Sequence, residues 1–286
     1  MRATTKLRNI LKSGRIAVAP GAFDGLSARL VAQAGFPAVY ASGGAIARSA
    51  GLPDLGLIPV DAIVERLASM VDVVEVPVIA DADTGYGNAL NAQAAARAFE
   101  RAGVAAFHLE DQTFPKKCGH YDDKGIVPVA EMVQKLKAVR DALHDPDFVV
   151  IARTDAIAVE GFAAAIDRAS AYREAGADML FVEAPTSEAE IAEIAKAVPG
   201  WKLINMFEGG KTPLLPAARL EALGYHLVII PSDTQRAAIK AMQRVLAAIG
   251  RDGSAASMRD DMVSFKEREA LVDTAGYLDR SKLYAS

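Results

Sequence analysis

Two hydrophobic patterns alternate along the chain, and together they predict its secondary structure. The first consists of short, continuous apolar runs at residues 16–19, 38–40, 76–80, 105–109, 148–152, 179–182, 201–204 and 226–230. These runs do not alternate between apolar and polar residues. Continuous apolar runs are typical of strands that are buried on both faces, as in parallel sheets.

The second pattern is helical. Alanine-rich stretches at residues 26–34, 92–102 and 162–175 each end just before a glycine, and a new apolar run follows. A glycine just past a helix end is typical of the link from a helix to the next strand. Eight such units predict a closed (β/α)8 barrel, a fold of about 250 residues. A doubly wound open sheet is the alternative, but no glycine-rich dinucleotide loop follows the first strand.

No break in composition along the chain marks a boundary between two domains. We expect residues 1–286 to form a single barrel domain in the α/β class. The more charged segment at residues 251–286 is expected to form extra C-terminal helices.

Composition narrows the classes of protein that fit. Hydrophobic residues make up 51% of the chain and charged residues 24%, with a net charge of −4. No dense basic run predicts a nucleic-acid partner, and no run of about 18 apolar residues predicts a membrane span. The single cysteine excludes an internal disulfide framework and agrees with a reducing compartment. No apolar signal core follows residues 1–6, so we expect a cytoplasmic protein.

Polar residues interrupt the apolar runs at their C-terminal ends. In a (β/α)8 barrel these ends share one rim, so residues that are distant in sequence converge there. The rim therefore predicts an enzyme. The candidate residues at or beside it are Tyr40, Ser42, Gly43, Gly44, Asp54, Asp81, Asp83, Glu110, Arg153, Glu183, Asn205, Pro231 and Arg236.

Four of these residues are carboxylates: Asp54, Asp81, Asp83 and Glu110. Crowded carboxylates raise each other's pKa unless a cation neutralises them. Mg²⁺ prefers oxygen ligands and takes one or two carboxylates directly, so a magnesium site is predicted. Alternatively, Asp81 and Asp83 cap the helix that starts near Asn91.

The same rim offers groups that could bind anions. The guanidinium groups of Arg153 and Arg236 match the two oxygens of a substrate carboxylate. Arg153 could equally form an ion pair with Glu183, and Arg236 could simply be solvated. Ser42-Gly43-Gly44 predicts an anion-binding nest of backbone N–H groups, although a tight turn would also explain the glycines.

The segment at residues 114–127 is long, polar and without periodicity, which is typical of a functional lid. It contains Lys116-Lys117-Cys118-Gly119-His120. The neighbouring positive groups are expected to lower the pKa of the Cys118 thiol and make it an acid/base or nucleophile. A buried, inert cysteine is the alternative.

Six motifs resemble those of the isocitrate lyase/phosphoenolpyruvate mutase superfamily, and they span nearly the whole chain. They are Tyr-x-Ser-Gly-Gly at 40–44, Gly-Leu-Pro-Asp-Leu-Gly at 51–56, Asp-Ala-Asp-x-Gly-Tyr-Gly at 81–87, His-Leu-Glu-Asp-Gln at 108–112, Lys-Lys-Cys-Gly-His at 116–120 and Ala-Arg-Thr-Asp-Ala at 152–156. The chain is most similar to the short 2-methylisocitrate and 2,3-dimethylmalate lyases.

The resemblance implies a barrel whose C-terminal helix is swapped between subunits, in a homotetramer built as a dimer of dimers. It also implies Mg²⁺, or alternatively Mn²⁺, bound directly by Asp81, with the other three carboxylates acting largely through water. Ser42, Gly43, Gly44 and Arg153 would hold the carboxylate of the pyruvate-like half of the substrate, with Tyr40 near the reacting oxygen. Cys118 would be the general acid. Gly119, His120, Glu183, Asn205, Pro231 and Arg236 would complete the substrate site.

The activity that this resemblance implies is the cleavage of a 2-hydroxy di- or tricarboxylate to pyruvate and propionate or succinate. Phe207 stands where tricarboxylate-cleaving relatives carry a hydroxyl-bearing residue, which favours an alkyl-substituted dicarboxylate. Pro231 matches the methylisocitrate-type lyases. The alternatives are an oxaloacetate decarboxylase or hydrolase, a phosphonopyruvate-type enzyme, and a non-catalytic barrel.

Overall fold

The computed structural model describes residues 1–121 and 123–285. The chain divides into two compact units, one of Met1–Asp233 and one that begins at Thr234. All eight strands belong to the first unit. The prediction that residues 1–286 form one barrel domain stays a prediction.

The strands of the first unit form a closed barrel in which each strand is parallel to both neighbours. They are β1 (Ala17–Ala22), β2 (Val39–Ala41), β3 (Val78–Asp81), β4 (Ala106–Glu110), β5 (Val149–Thr154), β6 (Met179–Val182), β7 (Trp201–Asn205) and β8 (Leu227–Ile230). The barrel closes where Ala17 of β1 pairs with Leu227 of β8. The predicted (β/α)8 fold is confirmed.

Helices connect and surround these strands. They are α1 (Ala3–Lys12), α2 (Gly25–Gln33), α3 (Gly43–Ser49), α4 (Val60–Val71), α5 (Ala89–Arg101), α6 (Val129–Ala142), α7 (Phe162–Glu174), α8 (Glu188–Ala197) and α9 (Ala217–Leu223). Gly35, Gly103 and Gly176 follow α2, α5 and α7 with φ of +84°, +85° and +108°. These angles lie in the left-handed region that glycine adopts without steric cost.

The start of α5 tests whether Asp81 and Asp83 cap this helix. Asn88 is its N-cap, and the Asn88 side chain accepts hydrogen bonds from the backbone N–H groups of Leu90 and Asn91. Asp81 and Asp83 therefore do not cap this helix, and the capping interpretation of the two acids is wrong.

The barrel interior is apolar below the rim. Leu7 and Leu11 of α1 pack with inward side chains of the strands, including Ile79, Ile151 and Phe181, and all five are at most 1% exposed. Full burial of one such side chain stabilises the fold by about 1.5–3 kcal/mol. The buried charged residues Asp81, Glu110 and Arg153 lie instead at or next to the carboxyl ends of their strands.

The C-terminal segment is helical, as predicted for residues 251–286. A long helix, α10 (Asp233–Asp252), leads into a 3₁₀ turn at Ala256–Asp261, then α11 (Phe265–Leu271) and α12 (Thr274–Leu283). Over the described residues, no helix is both long and apolar enough to cross a membrane. The exchange of these helices between subunits stays a prediction.

Candidate active site

The carboxyl ends of five strands carry charged or amide side chains into the barrel mouth. Asp81, Glu110, Arg153 and Asn205 lie at the ends of β3, β4, β5 and β7, and Glu183 directly follows β6. Each of these residues is at most 9% exposed. The predicted convergence of residues on one rim is therefore present in the fold.

Arg153 is the central cation of this rim. Its guanidinium group binds both carboxylate oxygens of Asp155, at 2.9 and 3.1 Å. It also lies 3.3 Å from Glu110 Oε2 and 3.9 Å from Glu183 Oε2. The predicted Arg153–Glu183 ion pair is present, but the bidentate partner is Asp155, which the sequence had not singled out. Its position directly after β5 was the available signal.

The charges around Arg153 set the pKa of its partners. Burial alone would raise the pKa of Asp155, but Arg153 and Lys124 outweigh burial and lower it to about 2. Arg153 likewise outweighs the effect of burial on Glu183, with help from His120, so the pKa of Glu183 is also lowered. Both carboxylates are ionised at neutral pH and keep Arg153 in place.

A second cation, Lys116, lies among the predicted metal ligands. Its Nζ contacts Asp54 Oδ1 and lies 2.8 Å from Asp83 Oδ1. Burial would lower the pKa of Lys116, but the surrounding carboxylates raise it well above its ordinary value. The predicted cluster of acids thus binds a positive charge, and in this structure the ammonium group of Lys116 supplies that charge. The sequence had treated Lys116 only as a neighbour of Cys118.

The carboxylates fit a hard divalent cation by their chemistry. Glu110 Oε1 is buried and has no hydrogen-bond partner among the residues that the structure describes. Burial raises the pKa of Glu110 well above its ordinary value and that of Asp83 to about 6. Additional positive charge would therefore stabilise the ionised forms. Within residues 1–121 and 123–285, however, no three acidic, His or Cys side chains already stand in a metal-binding arrangement.

Asp81 is also connected to Tyr40 and His108. The Tyr40 hydroxyl donates to Asp81 Oδ2 at 3.4 Å and lies 2.7 Å from His108 Nε2. Burial lowers the pKa of His108, which favours the neutral imidazole. A neutral Nε2–H group can donate to the Tyr40 oxygen, so Tyr40 and His108 hold each other beside Asp81. The sequence pattern alone gave no signal for His108.

Ser42, Gly43 and Gly44 form the start of α3. Ser42 is the N-cap, and its hydroxyl accepts from the backbone N–H of Ala45 at 3.2 Å. A Cβ on Gly43 would lie 2.7 Å from an Asp81 oxygen, and one on Gly44 would lie 2.7 Å from an Asp54 oxygen. The glycines thus begin a helix rather than a tight turn, and they let the backbone approach two of the predicted metal ligands.

Backbone strain marks the same region. Asp83 and Ala184 have φ of +46° and +59°. Residues other than glycine rarely adopt this left-handed conformation, and it is concentrated at functional sites. Both residues follow strand ends at the rim.

The lid loop (residues 114–127) is seated on this rim. His120 Nε2 lies 2.8 Å from Glu183 Oε1, and Lys124 Nζ lies 2.6 Å from Asp155 Oδ1. A Cβ on Gly119 would clash with Nη2 of Arg153 and lie 2.7 Å from Cγ of Glu183. The predicted lid is therefore in contact with Arg153 and with two of its three anionic neighbours, Asp155 and Glu183.

His120 is oriented by contacts to both of its ring nitrogens and to the ring itself. Its Nδ1 accepts from the backbone N–H of Lys211 at 2.9 Å, which leaves the proton on Nε2, facing Glu183. The Phe207 ring meets the His120 ring edge-on, with 4.6 Å between ring centroids. Asn205 Nδ2 donates to the same Glu183 oxygen, Oε1, at 3.4 Å. The predicted residues His120, Glu183 and Asn205 thus form one cluster beside Phe207.

The expected lowering of the Cys118 pKa is wrong. Burial raises the pKa of this thiol, and the negative charges of Asp54 and Glu183 raise it further. Lys116 is engaged by carboxylates, and Lys117 Nζ donates to the backbone oxygen of Asp123 at 2.6 Å. Since neither lysine is directed at the sulfur, Cys118 remains a protonated thiol, which suits a proton donor better than a nucleophile.

Two further residues predicted for the site come after strand β8. Pro231 directly follows β8, and its backbone packs against Gly21 so closely that a Cβ there would clash. Arg236 lies in α10, in the unit that begins at Thr234, and its role at the rim stays a prediction.

We expect Gly119→Ala to impair turnover without unfolding the protein. The added methyl group cannot fit between Arg153 and Glu183, so the lid cannot seat as it does here. A misplacement of about 1 Å can lower turnover by about 10²-fold. Steady-state kinetics and thermal melting would measure the two effects. Gly250→Ala is the control, because its Cβ meets nothing within 4 Å. Wild-type kinetics in Gly119→Ala would contradict the seating of the lid.

Comparison with known proteins places this chain in a family. The family described as phosphoenolpyruvate phosphomutase matches residues 7–250. The chain is 46% identical over 268 residues to 2,3-dimethylmalate lyase of Eubacterium barkeri, covering 93% of each chain. It is 45% identical over 278 residues to 2-methylisocitrate lyase of Bacillus subtilis (strain 168), covering 97% of this chain and 91% of the relative.

Solved structures agree with this relationship. A crystal structure of 2,3-dimethylmalate lyase superposes with a TM-score of 0.94 at 33% identity, covering 100% of this chain and 96% of the other. Phosphonopyruvate hydrolase in complex with oxalate and Mg²⁺ superposes with a TM-score of 0.91 at 34% identity, covering 100% of both chains. The predicted enzyme class, a carbon–carbon lyase, is consistent with these relatives. The chain belongs to the phosphoenolpyruvate mutase/isocitrate lyase family.

Proposed function

We propose that this enzyme cleaves a carbon–carbon bond in a 2-hydroxy dicarboxylate of the 2,3-dimethylmalate type, giving pyruvate and propionate. The observation that carries the proposal is the seating of Gly119 and His120 on Arg153 and Glu183. This contact brings the lid, with the protonated Cys118, to a rim that carries both a fixed guanidinium group and a carboxylate cluster. An enzyme that protonates a carbanion beside a bound carboxylate needs these elements.

A divalent cation, Mg²⁺ or alternatively Mn²⁺, would be held by Asp81, with Asp83, Glu110 and Asp54 around it. When bound, the cation would acidify the substrate hydroxyl by accepting its oxygen as a ligand. The unpartnered Glu110 oxygen and the raised pKa of Asp83 and Glu110 support the choice of ligands. The protein's own part is to keep the oxygens of Asp81, Asp83 and Glu110 at or just beyond the ends of two neighbouring strands, β3 and β4, with Asp54 on the loop between α3 and α4.

Substrate binding would use the guanidinium group of Arg153 and the start of α3. Arg153 keeps its charge at all accessible pH values, since its carboxylate partners raise its pKa still further. Together with Ser42, Gly43 and Gly44 it would bind the carboxylate of the pyruvate-forming half. His120, Asn205 and the neighbouring groups at the other end would contact the second carboxylate.

The cleavage step then follows from the residues in place. The substrate hydroxyl would pass its proton to a carboxylate of the rim, the oxygen would form the ketone of pyruvate, and the C2–C3 bond would break with its electron pair on C3. The proton on the carboxylate would be available to restore the Cys118 thiol after product release. Tyr40 would hydrogen-bond to the reacting oxygen, positioned by His108. Cys118 would donate its thiol proton to C3, which yields propionate. Closure of the lid would exclude water that competes for the carbanion.

The assembly and location of the enzyme are further proposals. We propose a homotetramer, a dimer of dimers with swapped C-terminal helices, that binds only a small carboxylate and works in the cytoplasm. The motif resemblance supports the assembly, and the single cysteine agrees with a reducing compartment. Sedimentation equilibrium would test the oligomer.

A substrate panel tests the proposed reaction. The purified enzyme would be incubated with Mg²⁺ and, in separate reactions, 2,3-dimethylmalate, 2-methylisocitrate, oxaloacetate or phosphonopyruvate. We expect pyruvate and propionate from dimethylmalate at the highest kcat/KM, and loss of turnover after EDTA that added Mg²⁺ restores. Oxalate and acetate from oxaloacetate, or phosphate from phosphonopyruvate, as the dominant products would replace the proposal with a hydrolase.

We expect Phe207→Thr to shift the preference towards 2-methylisocitrate. Phe207 packs on His120, where it fills space and offers no hydrogen bond to a third carboxylate. A hydroxyl group could donate one, and a hydrogen bond to a charged group is worth about 10–100-fold in affinity. The ratio of kcat/KM for the two substrates measures the shift. Phe114→Thr, in the exposed start of the lid, is the control. An unchanged ratio in Phe207→Thr would show that Phe207 does not select the substrate.

A further inference from the structure

We propose that Arg168 of α7 is a positioning residue that joins the two ends of the lid loop and sets where the lid seats. The inference deepens the proposed function, on which it rests for the catalytic role of the lid. Arg168 is 4% exposed and lies in α7, a helix that carries none of the candidate site residues named from the sequence.

The two ends of the lid meet in a short antiparallel pairing, which we call the lid stems (residues 111–113 and 125–127). Val127 N donates to Asp111 O at 2.8 Å, and Thr113 N donates to Gly125 O at 2.9 Å. Gln112 and Ile126 form a bridge between these bonds. A pairing this short depends on side chains from outside it to stay in place.

Arg168 reaches both stems with one nitrogen. Its Nη1 donates to Val127 O at 2.9 Å and lies 3.3 Å from Asp111 Oδ2. The other side of the guanidinium group is held by Glu160, with Nε and Nη2 each 2.8 Å from a carboxylate oxygen. Because Glu160 fixes the plane of the group, the direction of Nη1 is fixed too.

The same contacts lead to the catalytic rim through Asp111. Its Oδ2 accepts from Thr154 Oγ1 at 2.7 Å, and its Oδ1 accepts from the backbone N–H of Asp155 at 2.9 Å. Asp155 in turn binds Arg153 and Lys124 of the lid. The carboxylate that Arg168 holds therefore sets both a lid stem and the residue that orients Arg153.

Arg173, on the same helix, offers a matched control. It donates to the carbonyl groups of Ala177 and Asp178, just beyond the end of α7. Its loss would weaken the link between α7 and β6 without touching the lid stems. A purely structural role for Arg168 predicts that the two arginines behave alike.

Amide hydrogen exchange of the ligand-free enzyme, followed by mass spectrometry, distinguishes the two roles. In Arg168→Met we expect peptides covering residues 111–127 to exchange about tenfold faster, the effect of losing one hydrogen bond from a charged donor. Arg173→Met should leave these peptides unchanged, whatever its melting temperature. Unchanged lid exchange in Arg168→Met, or equal acceleration in both variants, would overturn the proposal.

Two further measurements keep the result decisive. If Arg168→Met does not fold, Arg168→Lys retains the charge beside Asp111 but not the fork, and we expect lid exchange between wild type and the tenfold change. On the substrate that the panel identifies, Arg168→Lys should lower kcat more than it raises KM. If the panel identifies no substrate, the proposed function fails, while the exchange measurement still decides the positioning role.

Discussion

Replacing Cys118 with serine is expected to lower kcat by about 10²–10⁴-fold, the contribution of a positioned general acid. Serine is nearly isosteric with cysteine, but its hydroxyl is a far weaker acid than the thiol. The lid would still seat, since its contacts to the rim run through Gly119, His120 and Lys124. Steady-state turnover of dimethylmalate measures the loss.

The pH dependence of the wild-type enzyme provides a second readout of the same residue. Burial raises the pKa of the Cys118 thiol, and a proton donor works only below its pKa. As pH rises, wild-type kcat should therefore persist through neutral pH and decline only when the thiol ionises on the alkaline side. Alkylation by iodoacetamide should be slow at neutral pH, because the thiolate is the reactive form.

The matched control is Lys117→Ala, next to Cys118. Its ammonium group binds Asp123 and, over the residues that the structure describes, forms an ion pair with none of the rim carboxylates, so we expect turnover within a few-fold of wild type. Cys118→Ser should also retain the wild-type melting temperature and lid exchange. Full turnover in Cys118→Ser on every substrate of the panel would assign the proton donor to another residue.

Replacing Arg153 with methionine is expected to cost about 3–5 kcal/mol in the free energy of unfolding, the usual effect of breaking a buried ion pair. The change leaves Asp155, Glu110 and Glu183 buried without their shared cation. Urea unfolding at neutral pH measures the loss. Substrate turnover should fall below detection, because the carboxylate-binding group is removed.

The loss should depend on pH in a defined direction. In the wild type the pKa of Asp155 is lowered to about 2, so its contribution is present above the unfolded-state pKa of about 3.9 and disappears as pH falls towards 2. Without Arg153 that contribution shrinks. The difference in stability between wild type and Arg153→Met should therefore narrow from about pH 4 downwards.

Arg2→Met is the control for this comparison. Arg2 also pairs with two aspartates, Asp145 and Asp147, but its side chain is 59% exposed. Exposed pairs contribute at most about 1 kcal/mol. Comparable losses of stability for Arg2 and Arg153 would mean that burial of the Arg153 cluster has no energetic consequence.

The sequence by itself determined the barrel and the composition of its rim. Strands buried on both faces leave continuous apolar runs, and glycines mark the helix ends, so the order of elements could be predicted. Because parallel strands of a barrel end on one side, Asp81, Glu110 and Arg153 could be predicted to converge. All of these inferences rest on local patterns and on one rule of topology.

Only the tertiary structure decided which charged side chains form ion pairs with each other. The tetrad Lys-Lys-Cys-Gly suggests that both lysines act on the thiol, yet Lys116 turns to Asp54 and Asp83 across the barrel mouth. Asp155 binds Arg153, two residues before it, because both side chains are buried at the same rim. Arg168 binds Asp111, which is 57 residues away in sequence. Burial and long-range contacts set the pKa of each group and the partner of each cation, and both depend on the packing of the whole barrel.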